Sequence, residues 1–123
     1  MEDAEESMTH YLVRFSYVSR SIKGLVDKPD VDHAGQASAM VASVGGKLHG
    51  YWYAFGEFDG VVLLEAPDNS AAASVAMAIG GTGEVSRLET TVLLTMDEAQ
   101  KAMRTAADAT HLPPGDNEER GVR

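Results

Sequence analysis

The strongest structural signal in this chain is KLHGYWYAFGEFDGVVLL, residues 47–64. Its first half, residues 47–55, is dense in aromatic side chains and predicts a strand. The glycine-bounded segment 56–60 predicts a turn, and the apolar run 61–64 predicts a second strand that pairs with the first as a hairpin. Apolar residues at successive positions of that run indicate a central strand, because both of its faces must be covered.

Two further strands flank the hairpin along the chain. Residues 10–17 are rich in β-branched and aromatic residues and predict the first strand. One face of that strand carries Tyr11, Val13, Phe15 and Tyr17. Residues 84–95 predict a long fourth strand.

Helices are predicted between the strands and after the last of them. Residues 19–26 predict a short helix that Pro29 ends. After Asp30, a candidate N-cap, apolar residues recur at helical spacing up to the stop at residues 45–46. The alanine-rich segment 71–79 predicts a second long helix with capping side chains before it, and the capping box at residues 95–98 predicts a last helix to about residue 106.

The order of these elements predicts an α+β domain of the ferredoxin-like βαββαβ type. Its crossovers place the two main helices on one face of an antiparallel four-stranded sheet. We expect this domain to span residues 9–106, with disordered tails at residues 1–8 and 107–123.

The second face of the predicted sheet is bare, although it carries large side chains. Strict alternation along the second strand separates Leu48, Trp52 and Ala54 from His49, Tyr51, Tyr53 and Phe55. An exposed apolar patch of that size is unusual on a monomer. The sequence therefore predicts a homodimer or larger homo-oligomer in which a second copy covers this face.

Composition narrows the classes of partner. The chain of 123 residues has a formal net charge of −9 and no cysteine. Much of the acidity lies in residues 1–8 and 108–123, and clustered Lys and Arg are lacking, so nucleic-acid binding is disfavoured. No apolar run approaches the length of about 18 residues that spans a bilayer, and residues 1–7 lack an export signal, so we expect no membrane association and a cytoplasmic location.

The four histidines suggest no metal site by their spacing. They are His10, His33, His49 and His111. None pairs with another at helical spacing, so any metal site would have to be assembled from distant strands. We therefore predict no metal and no other cofactor, and nothing singles out a histidine as a haem ligand.

Polar and aromatic residues of the sheet form the one candidate ligand-binding cluster. Its members share alternation parity within their own strands: Arg14, Ser16, His49, Tyr51, Tyr53, Arg87 and Glu89. They could line a small-molecule site around His49, with an imidazole, phenols and a guanidinium. They could instead form a dimer interface in which Arg14 and Arg87 pair with Glu65 or Glu89, and this interpretation is favoured.

The catalytic candidates are His49 and Asp59. Asp59 stands beside Gly60 at the hairpin turn. An aspartate at that position is more often a turn residue that hydrogen-bonds backbone than a catalytic group.

The chain resembles the GYD domain family from about residue 9 to residue 104. The resemblance rests on the hairpin 46–68, on Tyr11-Leu12-Val13, on the alanine-rich helix and on residues 83–90. Phe58 stands where the family usually has tyrosine, and Ser21 stands where a glycine is common. The resemblance implies a dimeric α/β-barrel fold and no particular activity.

Two functions remain open at this point. The first is a non-enzymatic oligomeric module that binds a small organic ligand or serves a structural role. The alternative is a cofactor-independent enzyme, monooxygenase-like or isomerase-like, that acts on a small aromatic or carbonyl compound. The alternative rests on analogy of fold, which does not fix function.

Overall fold

The computed structural model describes residues 8–109. Four strands and four helices follow one another along the chain. In order they are β1 (Thr9–Tyr17), α1 (Ser19–Asp27), α2 (His33–Ser43), β2 (Lys47–Tyr53), β3 (Gly60–Ala66), α3 (Asn69–Gly80), β4 (Val85–Leu93) and α4 (Met96–Asp108). All eight predicted elements are confirmed, with ends shifted by a few residues.

The four strands form one antiparallel sheet in the order β2-β3-β1-β4. β1 and β3 are central, as the sequence predicts for the continuous apolar run of β3. This order, with helices connecting β1 to β2 and β3 to β4, is the ferredoxin-like α+β fold.

The hydrophobic core lies between one face of the sheet and helices α2 and α3. We call this face the helix face. Its buried side chains are Tyr11, Val13 and Phe15 of β1, Val62, Leu64 and Ala66 of β3, Val41 of α2, and Ala72 and Val75 of α3. The alternation of buried and half-buried residues along β1 and β3 follows the pleat of the strands.

The opposite face of the sheet is called the open face. It carries Leu12, Arg14, Val61, Leu63, Trp52, Arg87 and Glu89. Its apolar and charged side chains are half-buried or exposed, in contrast to those of the helix face. Within residues 8–93, no helix packs on it.

Side-chain caps fix the starts of three helices. Asp32 caps α2 by accepting a hydrogen bond from the Gly35 amide at 2.9 Å. The expectation that Asp30 is the cap is wrong, because the helix begins two residues later. Asp68 caps α3, and Thr95 with Glu98 forms the predicted capping box of α4.

A β-bulge in β2 overturns the expected alternation of that strand. Leu48 pairs with Leu64 and Gly50 pairs with Leu63, so His49 is an extra residue on β2. The bulge shifts the faces by one position: Leu48 lies on the helix face, but Trp52 lies on the open face. The prediction that these two side chains share a face is therefore wrong.

The chain divides into two compact units at Leu93 and Leu94. The sheet and helices α1–α3 belong to the first unit, and α4 belongs to the second. The prediction of one domain over residues 9–106 stays a prediction. The predicted tails fall almost wholly outside the described residues. Among residues 8–109, no helix has the length and apolar character needed to cross a bilayer.

Candidate functional site

A cavity of about 570 Å³ lies on the helix face, between the sheet and helices α1 and α2. Its volume is in the range of small-molecule pockets. Apolar side chains form much of its wall: Phe15, Leu25, Ala37, Met40, Val62, Ile79 and Val85. Polar side chains at its rim include Arg20, Lys28, His33 and Gln36.

Two phenols line this cavity together. The hydroxyls of Tyr17 and Tyr51 are 3.1 Å apart, and either can donate to the other. Phe15 packs edge-on against both rings, and Tyr53 packs edge-on against Tyr51. These aromatic contacts fix the position of the phenol pair at the end of β1 and in the middle of β2.

Both phenols hold their protons firmly at neutral pH. Burial raises the pKa of Tyr17 far above the ordinary value of a phenol, and the hydrogen bond with Tyr51 raises it further. Burial also raises the pKa of Tyr51, an effect that the hydrogen bond with Tyr17 partly offsets. The pair is therefore a neutral hydrogen-bonding group.

A third hydroxyl in the cavity lacks a partner. The Oγ atom of Ser21, on the first turns of α1, is buried and makes no hydrogen bond within residues 8–109. Buried polar groups in proteins are nearly always hydrogen-bonded, so this unpaired hydroxyl is a candidate contact for a bound molecule once the side chain turns towards the cavity. Ser21 also stands at a position where glycine is common in the family that the sequence resembles.

The open face holds a separate cluster of charged and aromatic side chains. The buried ring of Phe58 lies between two guanidinium groups, 4.6 Å from Arg14 and 4.5 Å from Arg87. Both arginines also bond to Glu89, at 3.1 and 3.0 Å. Hydrogen bonds with Glu89 and Glu57 raise the pKa of Arg87. The predicted pairing of both arginines with Glu65 or Glu89 is confirmed for Glu89.

The structure brings only part of the predicted cluster together. Arg14, Ser16, Arg87 and Glu89 lie side by side on the open face, where the Ser16 hydroxyl donates to the Glu57 carbonyl oxygen at 3.2 Å. His49 also lies there, bonded to Glu65 at 2.7 Å. Tyr51 and Tyr53 lie on the helix face, opposite Val62 and Gly60. The expectation that the two tyrosines share a face with His49 is wrong, because the bulge at His49 breaks the alternation of β2.

Asp59 joins the hairpin to the end of β1. Its carboxylate accepts a hydrogen bond from the Tyr17 amide at 2.8 Å, and its own amide donates to the Phe15 carbonyl oxygen at 2.8 Å. The carboxylate thus bonds the backbone of a neighbouring strand, whereas the expectation for a turn residue is a bond to its own backbone. Neither Asp59 nor His49 lines the cavity on the helix face.

We predict that Asp59→Ala lowers the free energy of unfolding by about 2 kcal/mol, because the part-buried Tyr17 amide loses its acceptor. Asp59→Asn keeps one side-chain oxygen at this place and should recover most of the loss. Urea unfolding of the three proteins measures the effect. Equal stability of the alanine and asparagine variants would contradict the structural role of the carboxylate.

Reasoning from sequence alone did not find the cavity. The sequence places Tyr17 on the face of Tyr11, Val13 and Phe15, which the structure confirms, but it gives no sign of a partner for the phenol. Its pairing with Tyr51 depends on the bulge in β2, and the position of Ser21 beside the cavity depends on where α1 packs. No local pattern in the sequence carried either signal.

The family model of the GYD domain matches residues 11–103. The chain belongs to the GYD domain family. No curated protein matches the chain significantly. Solved structures similar to this GYD domain share its fold at low sequence identity.

One of these structures is described as FFRP-DM1, at 11% identity and a TM-score of 0.48, with 71% of this chain and 100% of that chain covered. A second, MtbAldR, has 10% identity and a TM-score of 0.50, over 77% of this chain and 58% of that one. A third is an uncharacterized NIPSNAP-like domain protein from Burkholderia xenovorans, at 16% identity and a TM-score of 0.43, with 88% of this chain and 93% of that chain covered. The GYD domain spans little more than half the length of MtbAldR, and these likenesses concern the fold alone.

Proposed function

We propose that this GYD domain is a homo-oligomeric module that binds a small organic molecule in the cavity on the helix face. The ligand has an apolar body and at least one oxygen acceptor, such as a carbonyl group. The observation that carries the proposal is the combination of an apolar wall with the phenol pair of Tyr17 and Tyr51 in one cavity, beside the unpaired hydroxyl of Ser21.

The hydrogen-bonding capacity of the phenol pair supports a ligand with an acceptor. Two neutral phenols carry two hydroxyl protons, and their mutual hydrogen bond uses one of them. The second proton is left for a ligand oxygen. The Ser21 hydroxyl can donate or accept, so it adds a second polar contact near the first helix.

Binding fits this site better than proton-transfer catalysis. A general acid or base works best when its pKa lies near the working pH. Burial moves the pKa of both phenols away from neutrality, and the two catalytic candidates His49 and Asp59 lie outside the cavity. The enzymatic alternative would therefore need a proton acceptor supplied by the substrate or by a rim residue.

The proposal is tested with two aromatic probes of similar shape, 1-acetylnaphthalene and 1-ethylnaphthalene. The ketone has one oxygen acceptor and the hydrocarbon has none. We expect the double variant Tyr17→Phe/Tyr51→Phe, which removes both phenol donors, to weaken binding of the ketone roughly fivefold, the effect of one neutral hydrogen bond, and to leave binding of the hydrocarbon unchanged. Titrations followed by amide NMR shifts measure both affinities and locate the site.

A matched pair of variants on α2 controls for the location. Ala37 lines the cavity, and Ala39 is exposed on the same helix. Ala37→Trp should fill the cavity and abolish binding of both probes, whereas Ala39→Trp should bind as the unchanged protein does. Shifts that cluster on the open face, or equal binding by the two tryptophan variants, would overturn the proposed site.

The homo-oligomeric part of the proposal rests on the open face. Apolar side chains of the three strands β1, β2 and β3 lie together there: Leu12, Trp52, Val61 and Leu63. A second copy that presents the same face would bury this patch by isologous packing, which would make a dimeric α/β barrel. The absence of a nucleic-acid partner and the cytoplasmic location stay predictions.

A further inference from the structure

Three side chains from neighbouring strands meet on the open face, at the end where β1 begins and β3 ends. His10 of β1, His49 of β2 and Glu65 of β3 each turn one potential metal ligand atom to a common point, and these atoms lie within 4.8 Å of one another. The Nε2 atoms of His49 and His10 are 2.7 and 3.6 Å from the same Glu65 oxygen. The two imidazole rings are stacked, with centroids 5.4 Å apart.

The register of three strands creates this cluster. His10 lies opposite Glu65 across β1 and β3. Leu48 pairs with Leu64 on the helix face, so His49, the next residue of β2, lies on the open face with His10 and Glu65. The bulge at His49 shifts only the residues that follow it.

We propose that His10, His49 and Glu65 bind a divalent transition-metal ion of the Zn²⁺ class. Imidazole nitrogen suits Zn²⁺, Cu²⁺, Fe²⁺ and Ni²⁺, whereas Mg²⁺ and Ca²⁺ prefer oxygen ligands throughout. Two histidines and one glutamate are also a known set of three protein ligands for Zn²⁺, with the fourth position open to water or to another molecule.

The distances from the two imidazoles to the Glu65 oxygen are close to those of a tetrahedral site, and all three ligand atoms lie within 4.8 Å of one another. Metal–ligand bonds of about 2.0–2.1 Å place tetrahedral ligand atoms roughly 3.3 Å apart. The separation of 3.6 Å between His10 and Glu65 is near this value, and that of 2.7 Å between His49 and Glu65 needs to open by a few tenths of an ångström. The side chains are 20–40% exposed in a single subunit, so they have room for this adjustment.

This site is independent of the proposed small-molecule cavity. The cavity lies on the helix face and the three metal ligands lie on the open face, with the sheet between them. Failure of one proposal therefore leaves the other standing.

The test is a titration of the full chain with Zn²⁺ by calorimetry and with Co²⁺ by visible absorption. We expect one ion per chain and a Co²⁺ spectrum typical of nitrogen and oxygen ligands at low coordination number. His49→Gln and Glu65→Gln should each weaken Zn²⁺ binding by roughly 100-fold, because each removes one of three protein ligands.

Three variants serve as matched controls. His33→Gln and His111→Gln each remove an imidazole that the proposal does not use, and both should bind Zn²⁺ as the unchanged chain does. Lys47→Gln removes the positive charge opposite Glu65 in the strand register and no ligand, so it should bind at least as tightly.

A second readout separates loss of the site from loss of the fold. An ion that binds only the folded chain raises the thermal midpoint, so Zn²⁺ should stabilise the unchanged protein and not His49→Gln, while both have the same midpoint in a chelator. Absence of stoichiometric binding by the unchanged chain would overturn the proposal. Equal affinities of His49→Gln and His33→Gln would also overturn it.

Discussion

Gly60→Ala is expected to lower the free energy of unfolding by about 3 kcal/mol, the upper part of the range for overpacking a core. Gly60 opens β3 and lies directly opposite Phe15 in the strand register. A Cβ atom at this position would collide with the Phe15 ring. The ring cannot swing aside easily, because it is buried and packs edge-on against Tyr17 and Tyr51.

The same substitution should also damage the cavity. Phe15 forms part of its wall and supports both phenols, so a displaced ring would enter the space that a ligand needs. We expect Gly60→Ala to lose binding of 1-acetylnaphthalene and of 1-ethylnaphthalene alike, since shape and not the hydrogen bond is changed. This pattern differs from that of Tyr17→Phe/Tyr51→Phe, which should affect only the ketone.

Gly56→Ala is the matched control in the same connection. A Cβ atom at Gly56 has no neighbour within 4 Å, so alanine should be tolerated there. Urea unfolding gives the stability of both variants, and NMR titration gives their affinities. Similar stabilities of Gly56→Ala and Gly60→Ala would show that contact with Phe15 does not restrict position 60.

The fold could be predicted from the sequence because its signals are local and repeat along the chain. The apolar run of β3 and the alternating aromatic face of β1 indicate two central strands, and glycine stops and caps delimit the helices. Element order then leaves few topologies for a right-handed crossover. Asp32 rather than Asp30 caps α2, which shows that two acceptable caps at close spacing are not distinguished by sequence.

The bulge at His49 could not be predicted in the same way. A bulge depends on pairing with the neighbouring strand, and β2 alone has an acceptable alternation without one. Gly50 is the one local sign of the bulge, because glycine inside a strand often marks one. In the structure, a Cβ atom at this position would collide with the Trp52 ring. The extra residue shifts the register of β2 by one position, so His49 lies on the open face and Tyr51 and Tyr53 lie on the helix face. The predicted ligand-binding cluster is therefore divided between the two faces of the sheet.

The metal-ligand cluster and the cavity both depend on pairing between strands. Sequence spacing excludes a local histidine motif correctly, but His10, His49 and Glu65 come from three strands and meet only through register. Likewise, Tyr17 and Tyr51 are 34 positions apart and become partners only when β1 and β2 flank β3. Long-range pairing of this kind is set by the whole sheet.

Leu63→Glu is expected to raise the dissociation constant of the homo-oligomer at least about 100-fold, equivalent to roughly 2.7 kcal/mol. Leu63 lies in the middle of the open face, with Leu12 of β1 and Gly50 of β2 as its neighbours in register. In an isologous interface each copy contributes the substituted residue, so two carboxylates are buried and brought towards each other. Burial of an unpaired charge and repulsion between like charges both oppose association.

Analytical ultracentrifugation over a range of concentrations measures the expected loss, and Trp52 gives a second signal. It is the only tryptophan of the chain and is 53% exposed on the open face, so association should shift its emission to shorter wavelength. Val26→Glu, at an exposed position of α1, adds the same charge away from this face and should associate normally.

Circular dichroism of Leu63→Glu shows whether the separated subunit keeps its fold. Two results would show that the open face is not the interface: an unchanged chain that is monomeric at micromolar concentrations, or equal association of both glutamate variants. In either case, the exposed apolar side chains of β1, β2 and β3 must face a different partner.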